Sequence, residues 1–285
     1  MRTLSSREKK YKFMKKQELR IFIHINTPIV FPQEAIHLDA LLTEIVAREL
    51  FGHKPDRWQN VDKQTELPLP LEKTRGKHPV WRASIGFSSP LTREYQDFWV
   101  KRTNDEFAGY VTNNIVWPAG VISNKASKSL AKEVRLEKAT GPANDPASGG
   151  FKSYYEYRNL LLTDYLLFHA YGNKEEVKRL LDKLSGIGKK TAIGFGKIGK
   201  IEVIEIDEDY SLFTPSNKPA RNLPSIDYPN LKARIIASPT SSPYWSKRNL
   251  VVCYAPTSTI PEWEWDIGNK QASFEDSWFD DEWYE

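Results

Sequence analysis

The sequence predicts an α+β protein with the βαββαβ order of a ferredoxin-like fold, a long insertion and a C-terminal β-rich extension. Segments in which apolar residues alternate, typical of half-buried strands, recur through the first 206 residues. Two segments with apolar residues every three or four positions lie between them and indicate amphipathic helices. A hydrophobic content of 40% over 285 residues is enough to build a core.

The elements can be assigned in chain order. In ELRIFIHIN, Leu19 and Ile21 alternate with Arg20 and Phe22, which indicates a strand with one buried face. Asn173, followed by two glutamates, is typical of a helix start. The predicted elements are a strand at 18–26, a helix at 37–51, a strand at 80–87, an aromatic and aliphatic segment at 154–171 that supplies the third strand, a helix at 174–184 and a strand at 197–206. Such a sheet carries its helices on one face and leaves the other open.

Three regions extend beyond this pattern. Residues 88–152 form a long insertion within the 1–206 domain, and we expect a short basic helix at 125–138 inside it. Residues 207–260 form a small proline-punctuated extension with strand-like pieces at 231–236 and 250–254. The basic positions of the insertion that we expect to bind a polyanion are Lys125, Lys128, Lys132 and Arg135.

Charge is unevenly distributed along the chain. Residues 261–285 hold nine acids and one base, a net charge of −8, which leaves +12 on residues 1–260 of the overall +4. A basic body is typical of a protein with a polyanion partner, although a solvated lysine-rich surface has the same composition. The acidic tail holds four of the nine tryptophans, so we expect it to dock on a basic surface of this chain or of a neighbour. The alternative is a tail that the fold does not need.

The most specific motif is GIGKKTAIGFGKIG at 186–199, which holds five of the fifteen glycines. Exposed backbone N–H groups and nearby lysines form a concavity that suits a phosphodiester. Phe195 is placed to stack on a base. The predicted RNA-binding residues of this motif are Gly186, Gly188, Lys189, Lys190, Gly194, Phe195, Gly196 and Lys197.

Known glycine motifs do not fit this segment. A P-loop and a dinucleotide fingerprint both place the glycines after a strand and before a helix, whereas here a helix precedes and a strand follows. A tight helix-to-strand turn is the structural alternative. We expect such a turn to require one or two of the glycines, not five.

Aromatic residues beside bases are further candidates. Trp81 and Arg82 lie on the predicted second strand, where Trp81 faces either RNA or the core, the core being the favoured alternative, and Arg82 is a candidate RNA contact. Tyr244 and Trp245, followed by two basic residues, form a pair that suits a stacked nucleotide, and a loop anchored to the core by Trp245 fits the same sequence.

Three segments together resemble a known family. LSGIGKKTAIGFGKIGKIEV (184–203) is similar to the glycine-rich loop of the RAMP superfamily of CRISPR RNA-binding proteins. IVFPQEAIHLDALLTEIVARE (29–49) and SPTSSPYWSKRNLVVCYAP (238–256) resemble the subunit of type IV CRISPR effector complexes that occupies the crRNA 5′-handle end. Residues 88–152 and the acidic tail match no part of that pattern.

The resemblance implies a non-catalytic, RRM-like RNA-binding subunit. It implies that the subunit holds the crRNA 5′ handle, caps the filament of backbone RAMP subunits and contacts the large subunit near target DNA entry. Contact with target DNA is then indirect, and a helicase recruited to the complex is a further implied partner. Antiviral defence and plasmid interference are the expected settings. In such systems base pairing by the guide reads the target sequence.

Two alternatives remain open at this stage. Some RAMP proteins are metal-independent endoribonucleases, in which a base assists attack by a 2′-OH on the adjacent phosphate. His37 and His24 are the candidates for that base, although a lone histidine is more often structural. The other alternative is a generic ferredoxin-like RNA-binding module.

Several classes of protein are excluded or not expected. A single cysteine excludes a disulfide framework and a cysteine-based zinc cluster. The histidine spacing suggests no metal site, so we expect no metal and no cofactor. No apolar run reaches 18 residues and no signal peptide is evident, so we expect a cytoplasmic protein without a membrane partner.

Overall fold

A computed structural model of the chain describes residues 2–30, 35–52, 67–101 and 154–257. The chain divides into two compact units, Tyr95–Leu160 and the remainder. The expected basic helix at 125–138 and the acidic tail lie outside the described residues.

The described residues form three α-helices and ten strands, so the prediction of an α+β protein is confirmed. In chain order they are α1 (Arg2–Lys12), β1 (Gln17–Ile25), β2 (Ile29–Val30), α2 (Leu38–Phe51), β3 (Phe87–Ser88), β4 (Arg93–Lys101), β5 (Tyr154–Leu162), β6 (Tyr165–Gly172), α3 (Lys174–Leu181), β7 (Ile198–Glu205), β8 (Leu223–Pro224), β9 (Ile235–Pro239) and β10 (Leu250–Tyr254). The N-terminal helix α1 was not expected from the sequence.

The main sheet has the strand order β3-β6-β1-β7, and all three neighbouring pairs are antiparallel. Its register places Ile21 opposite Phe168 of β6 and Val203 of β7. These three residues are buried, together with Leu19 and Ile23 on the same face of β1. The predicted alternation of β1 is therefore confirmed.

Helices α2 and α3 pack on this apolar face. Leu42 and Val46 of α2 and Val177 and Leu180 of α3 are fully buried in one cluster with the β1 residues. The predicted start of α3 is also confirmed, because the Asn173 side chain accepts a hydrogen bond from the Glu176 N–H at 3.0 Å. Burying this apolar surface is the main force that holds the helices to the sheet.

The predicted strand at 80–87 is mostly wrong. Only Phe87–Ser88 is a regular strand, and the residues before it form isolated bridges. Their N–H groups donate to separate segments: Arg82 to Glu72, Ser84 to His169 and Ile85 to Ala220. An alternating pattern reports burial on one face, and that burial does not require a single neighbouring strand.

The opposite face of the sheet is not fully open. Residues of the C-terminal extension cover part of it, since Ala220 joins Phe87 and Leu167 in a second buried cluster. Tyr210 packs edge-on against His169 with ring centroids 5.4 Å apart. The expectation of an open face therefore holds only for the part nearer β7, where Ile204 is exposed.

A second sheet in the extension has the order β8-β10-β9, and its pairs are antiparallel. In the other unit, β4 and β5 are neighbouring strands. Across the described ranges, no helix combines the length and apolar character that crossing a membrane requires.

Candidate nucleic-acid interface

The glycine-rich segment, residues 186–199, leads from α3 into β7, and we call it the glycine loop. It closes on itself where the Ile187 N–H donates to the Gly196 carbonyl at 2.9 Å. The loop is also tied to the chain that follows β1, because the Gly196 N–H donates to the Pro28 carbonyl at 2.8 Å and the Lys189 N–H to the Val30 carbonyl at 3.1 Å. These bonds fix the loop in one position at the end of the sheet.

Three of the five glycines, Gly188, Gly194 and Gly196, are required by this geometry because each has a positive φ. Gly196 has a φ of 59°, and a Cβ there would lie 1.9 Å from the Ile187 carbonyl oxygen. A Cβ on Gly188 would lie 2.8 Å from the Val30 carbonyl oxygen, and those on Gly186 and Gly199 would also be closer than 3.0 Å to neighbouring atoms. Gly194 has open space but a φ of 99°. The expectation that a turn accounts for only one or two glycines is therefore wrong, and the glycines alone do not indicate a ligand.

The lysines of the loop do point to a ligand. Lys189, Lys190 and Lys197 are exposed. Within the part of the chain that the structure describes, no acidic side chain pairs with Lys189 or Lys197. Phe195 is half-buried between them. The loop therefore presents cations on a fixed backbone, an arrangement that suits a phosphate.

Other lysines of the same segment have internal partners. Lys200 pairs with Glu202 at 3.2 Å, and Lys183 pairs with Glu49 of α2. Burial would raise the pKa of Glu49, but hydrogen bonds from Arg179, Lys183 and Arg7 hold it at about 2. This network joins all three helices beneath the loop, so Lys183 serves the fold.

A cleft of about 380 Å³ lies between α2 and the first half of the glycine loop. Ile45 and Arg48 line it on the helix side, and Gly186, Ile187 and Thr191 line it on the loop side. The lining also includes Glu44 and Glu49, which pair with Arg48 and Lys183, so the cleft is partly apolar and its charges are balanced.

Arg82 is less available than expected. Its guanidinium pairs with Asp209 and lies over the Tyr171 ring, 3.8 Å from the centroid. Trp81 is half-buried against the core, with the Lys73 ammonium 4.7 Å from its ring centroid. Arg82 therefore fastens the extension to the sheet, and we do not retain it as a primary RNA contact.

Tyr244 belongs to a buried polar cluster that the sequence did not reveal. Its hydroxyl donates to the Asp39 carboxylate at 3.0 Å and accepts from Arg221 Nη2 at 2.9 Å. Asp39 and Arg221 are fully buried and 3.6 Å apart. The Tyr244 ring stacks on His37, with centroids 4.1 Å apart. Tyr244 is therefore not free to stack on a nucleotide. Trp245 beside it is 62% exposed.

His37 is part of the same cluster. It is buried, and burial together with the nearby Arg221 guanidinium holds its pKa well below the ordinary value. A histidine enclosed in this way has no access to an RNA 2′-OH. The structure therefore removes His37 from the candidate catalytic bases.

His24 is placed differently. It lies at the end of β1 on the partly open face, and its Nε2 is 3.1 Å from Glu202 Oε1. Burial would raise the pKa of Glu202, but hydrogen bonds from Lys200 and His24 lower it. The imidazole, which is about one-third exposed, is thus oriented by a carboxylate and reachable from solvent.

The basic residues of the insertion and the possibility of a metal site were also considered in the sequence. Lys125, Lys128, Lys132 and Arg135 lie outside the described residues. Over the described ranges, the structure groups no three histidine, cysteine or acidic side chains in a way that could hold a metal ion.

A family model described as CRISPR type IV associated protein Csf3 matches residues 17–256. This chain therefore belongs to the Csf3 family of type IV CRISPR associated proteins. A search of the curated proteins gave no match.

One solved structure that the comparison matched to this chain is described as the cryo-EM structure of the Type III-B Cmr-beta bound to cognate target RNA. The match covers 70% of this chain at 13% identity, with a TM-score of 0.29. This chain spans 64% of the length of that one.

Proposed function

We propose that this chain is a non-catalytic RNA-binding subunit of a type IV CRISPR ribonucleoprotein complex and that its glycine loop holds the 5′ handle of the crRNA. The observation that carries the proposal is the exposure of Lys189 and Lys197, unpaired among the described residues, on a loop fixed by backbone hydrogen bonds. Phosphate contacts of this kind position a nucleic acid without reading its sequence. Membership of the Csf3 family supports the CRISPR setting.

The sheet supports a ferredoxin-like RAMP domain as the framework. Because neighbouring strands are antiparallel, β1 and β3 are parallel with β6 between them, and β6 and β7 are parallel with β1 between them. Helix α2 connects the first of these pairs and α3 the second. Two interleaved split βαβ units of this kind are the ferredoxin-like pattern.

The wider role follows from the same proposal. A subunit that binds the handle caps the filament of backbone subunits and contacts the large subunit near the entry of target DNA. The contact with target DNA is indirect, and a helicase joins the assembled complex. We place this assembly in the cytoplasm.

A binding titration tests the loop. We expect Lys189→Ala with Lys197→Ala to weaken binding of repeat-derived RNA and to reduce the slope of log K against log[salt] by about 1.4 units, since each phosphate contact to a single strand contributes about 0.7. The matched control is Lys183→Ala with Lys200→Ala, which removes the same charge from lysines that pair with Glu49 and Glu202. An equal loss of slope in both double variants would show that the effect is general electrostatics.

Assembly is tested by co-expression with a guide RNA and the neighbouring CRISPR proteins. We expect the chain to co-purify in a larger ribonucleoprotein, and we expect the Lys189 and Lys197 double variant to co-purify less. A chain that binds RNA but never joins a larger particle would favour a generic RNA-binding module.

An endoribonuclease is the second candidate function, and the accessible His24–Glu202 pair is the observation that favours it. In that case the His24 imidazole accepts the proton of the 2′-OH while the 2′-oxygen attacks the adjacent phosphate, and the P–O5′ bond breaks as the 5′-oxygen takes a proton from solvent. Repeat RNA incubated without metal would then give a 2′,3′-cyclic phosphate product that His24→Ala abolishes and His78→Ala does not. Our proposal expects no such product from the wild-type chain.

A further inference from the structure

The C-terminal sheet has an exposed apolar face. Ile235, Leu250 and Val252 are 61%, 46% and 58% exposed, and Ala237, directly opposite Val252, is also exposed. These four residues form one contiguous surface, which we call the apolar patch, because cross-strand neighbours in a sheet lie about 5 Å apart. On the other face of the sheet Cys253 is fully buried.

Such a surface is unusual for a sheet that packs on one side. The outward face of an antiparallel sheet is normally polar, and an isolated exposed apolar residue has no significance. A cluster of four that includes three β-branched or leucine side chains indicates a surface that something covers. In the described part of the chain, β9 pairs only with β10, so its second edge is also available.

Basic residues surround this patch. Lys232 and Arg234 precede β9, and Lys247 lies just before β10. All three are exposed, and no acidic residue of the described ranges forms an ion pair with them. Successive side chains of a strand lie on opposite sides, so Arg234 lies on the side of the strand opposite to Ile235 and Ala237. The preferred occupant is therefore apolar on one side and acidic on the other.

The chain itself contains a segment with that pattern. In EWEWDI, residues 262–267, two tryptophans and an isoleucine alternate with three acids, the period of a strand with two unlike faces. Strand β10 ends at Tyr254, and the last described residue, Thr257, is held by a 2.9 Å hydrogen bond from its N–H to the Pro219 carbonyl. Only four residues separate Thr257 from this segment, and they span at most about 18 Å, so the segment can reach the C-terminal sheet.

We propose that residues 262–267 add to the free edge of β9 as a further strand of the C-terminal sheet. Trp263 and Trp265 then lie on the side of the apolar patch, and the three acids lie on the side of Arg234. The main-chain hydrogen bonds supply affinity, and the alternating side chains select the correct face, as in other cases of strand addition. An edge strand that is covered in this way is protected from pairing with another chain. This inference does not depend on RNA binding.

Hydrogen–deuterium exchange of the isolated full-length chain tests the proposal. We expect amides of 262–267 and of β9 to exchange roughly tenfold or more slowly than an unstructured peptide of the same sequence. Trp263→Ala with Trp265→Ala removes the anchors, and Val252→Lys alters the patch at an exposed position that tolerates substitution. Each should abolish protection of 262–267. Trp278→Ala with Trp283→Ala is the matched control, and it should leave the protection unchanged.

Three outcomes would overturn the proposal. Exchange of 262–267 at the rate of an unstructured peptide in the wild-type chain would show that the segment is not docked. Protection that rises with protein concentration, together with a dimer in light scattering, would assign the patch to a second copy. Protection that arises only after other CRISPR subunits are added would assign it to a partner protein.

Discussion

At the scale of single residues, two adjacent aromatic side chains have opposite roles. Tyr244 and Trp245 form the same type of pair in sequence, yet the Tyr244 hydroxyl is bonded to Asp39 and Arg221 in the interior while Trp245 is exposed. A buried arginine and carboxylate are costly unless every polar group near them is satisfied. Tyr244 helps to satisfy both, so its contribution is to stability.

Replacing Tyr244 tests this assignment. Tyr244→Phe keeps the ring stacked on His37 and deletes only the hydroxyl, so we expect the free energy of unfolding to fall by about 1.5–3 kcal/mol, the range for hydrogen bonds to charged groups. Urea titration measures this loss. Trp245→Phe, at an exposed site, should change the stability by less than about 0.5 kcal/mol. A Tyr244→Phe variant of unchanged stability that binds RNA more weakly would restore Tyr244 to the binding site.

Asp39 shows what the sequence could have revealed. It lies on the same helical stripe as the buried residues Leu42 and Val46, three and seven positions later, where an apolar residue is expected. An acid in that position indicates a buried cation. The sequence did not identify Arg221 as the partner, since 182 positions separate the two and only the folded chain brings them together.

At the scale of elements, the glycine loop combines two requirements. Its backbone must pass within contact distance of Ile187 and of the end of β2, which demands glycine, and its lysines must remain outside. Glycines and lysines cluster in this segment, which is why the sequence pointed to it as a candidate site. It assigned the glycines to ligand binding, whereas they are needed for packing.

Two glycine substitutions distinguish the cost of a steric clash from the cost of a positive φ. Gly196→Ala forces a Cβ onto the Ile187 carbonyl and should destabilise the protein by several kcal/mol, since the main chain must move. Gly194→Ala meets no atom within 4 Å, so we expect only the cost of its positive φ, about 1–2 kcal/mol. Thermal or urea unfolding gives the order. Equal losses in the two variants would contradict the close approach at Gly196.

The regular elements were predictable for a physical reason. Strand β1 and helices α2 and α3 each bury one continuous stripe against one neighbouring layer, so their periodicity is visible in the sequence. Residues 80–86 show the same alternation but bond to several segments, and no local pattern distinguishes that case. The short strands of the extension were partly predictable, because β10 matches the expected 250–254 piece while β9 begins four residues later than expected.

At the scale of the whole molecule, two of the described histidines are buried and do not take part in the proposed site. Burial holds the pKa of His37 well below its ordinary value and, with Arg20 nearby, lowers that of His169 to about 3. His169 therefore stays neutral in the native protein at pH 5, and His37 takes up a proton there only at a lower pH than in the unfolded chain, where histidines titrate near pH 6.5. The native state binds fewer protons below that pH, so its stability is full above pH 6.5 and declines as the pH falls.

We therefore expect the free energy of unfolding to decrease between pH 7.5 and pH 5, with His169 contributing a loss of about 2 kcal/mol at pH 5 and His37 adding a loss in the same direction. His169→Gln removes one of these contributions while other titrating groups are unchanged. The difference in stability between the wild type and this variant should thus shift by about 2 kcal/mol over the interval in favour of the variant, as measured by urea titration at both pH values. Because the comparison concerns the slope with pH, a constant destabilisation from the substitution does not affect it. Parallel plots of unfolding free energy against pH for the two proteins would mean that His169 can be protonated in the native state. The packing around His169 would then be looser than its contacts with Tyr210 and Arg20 indicate.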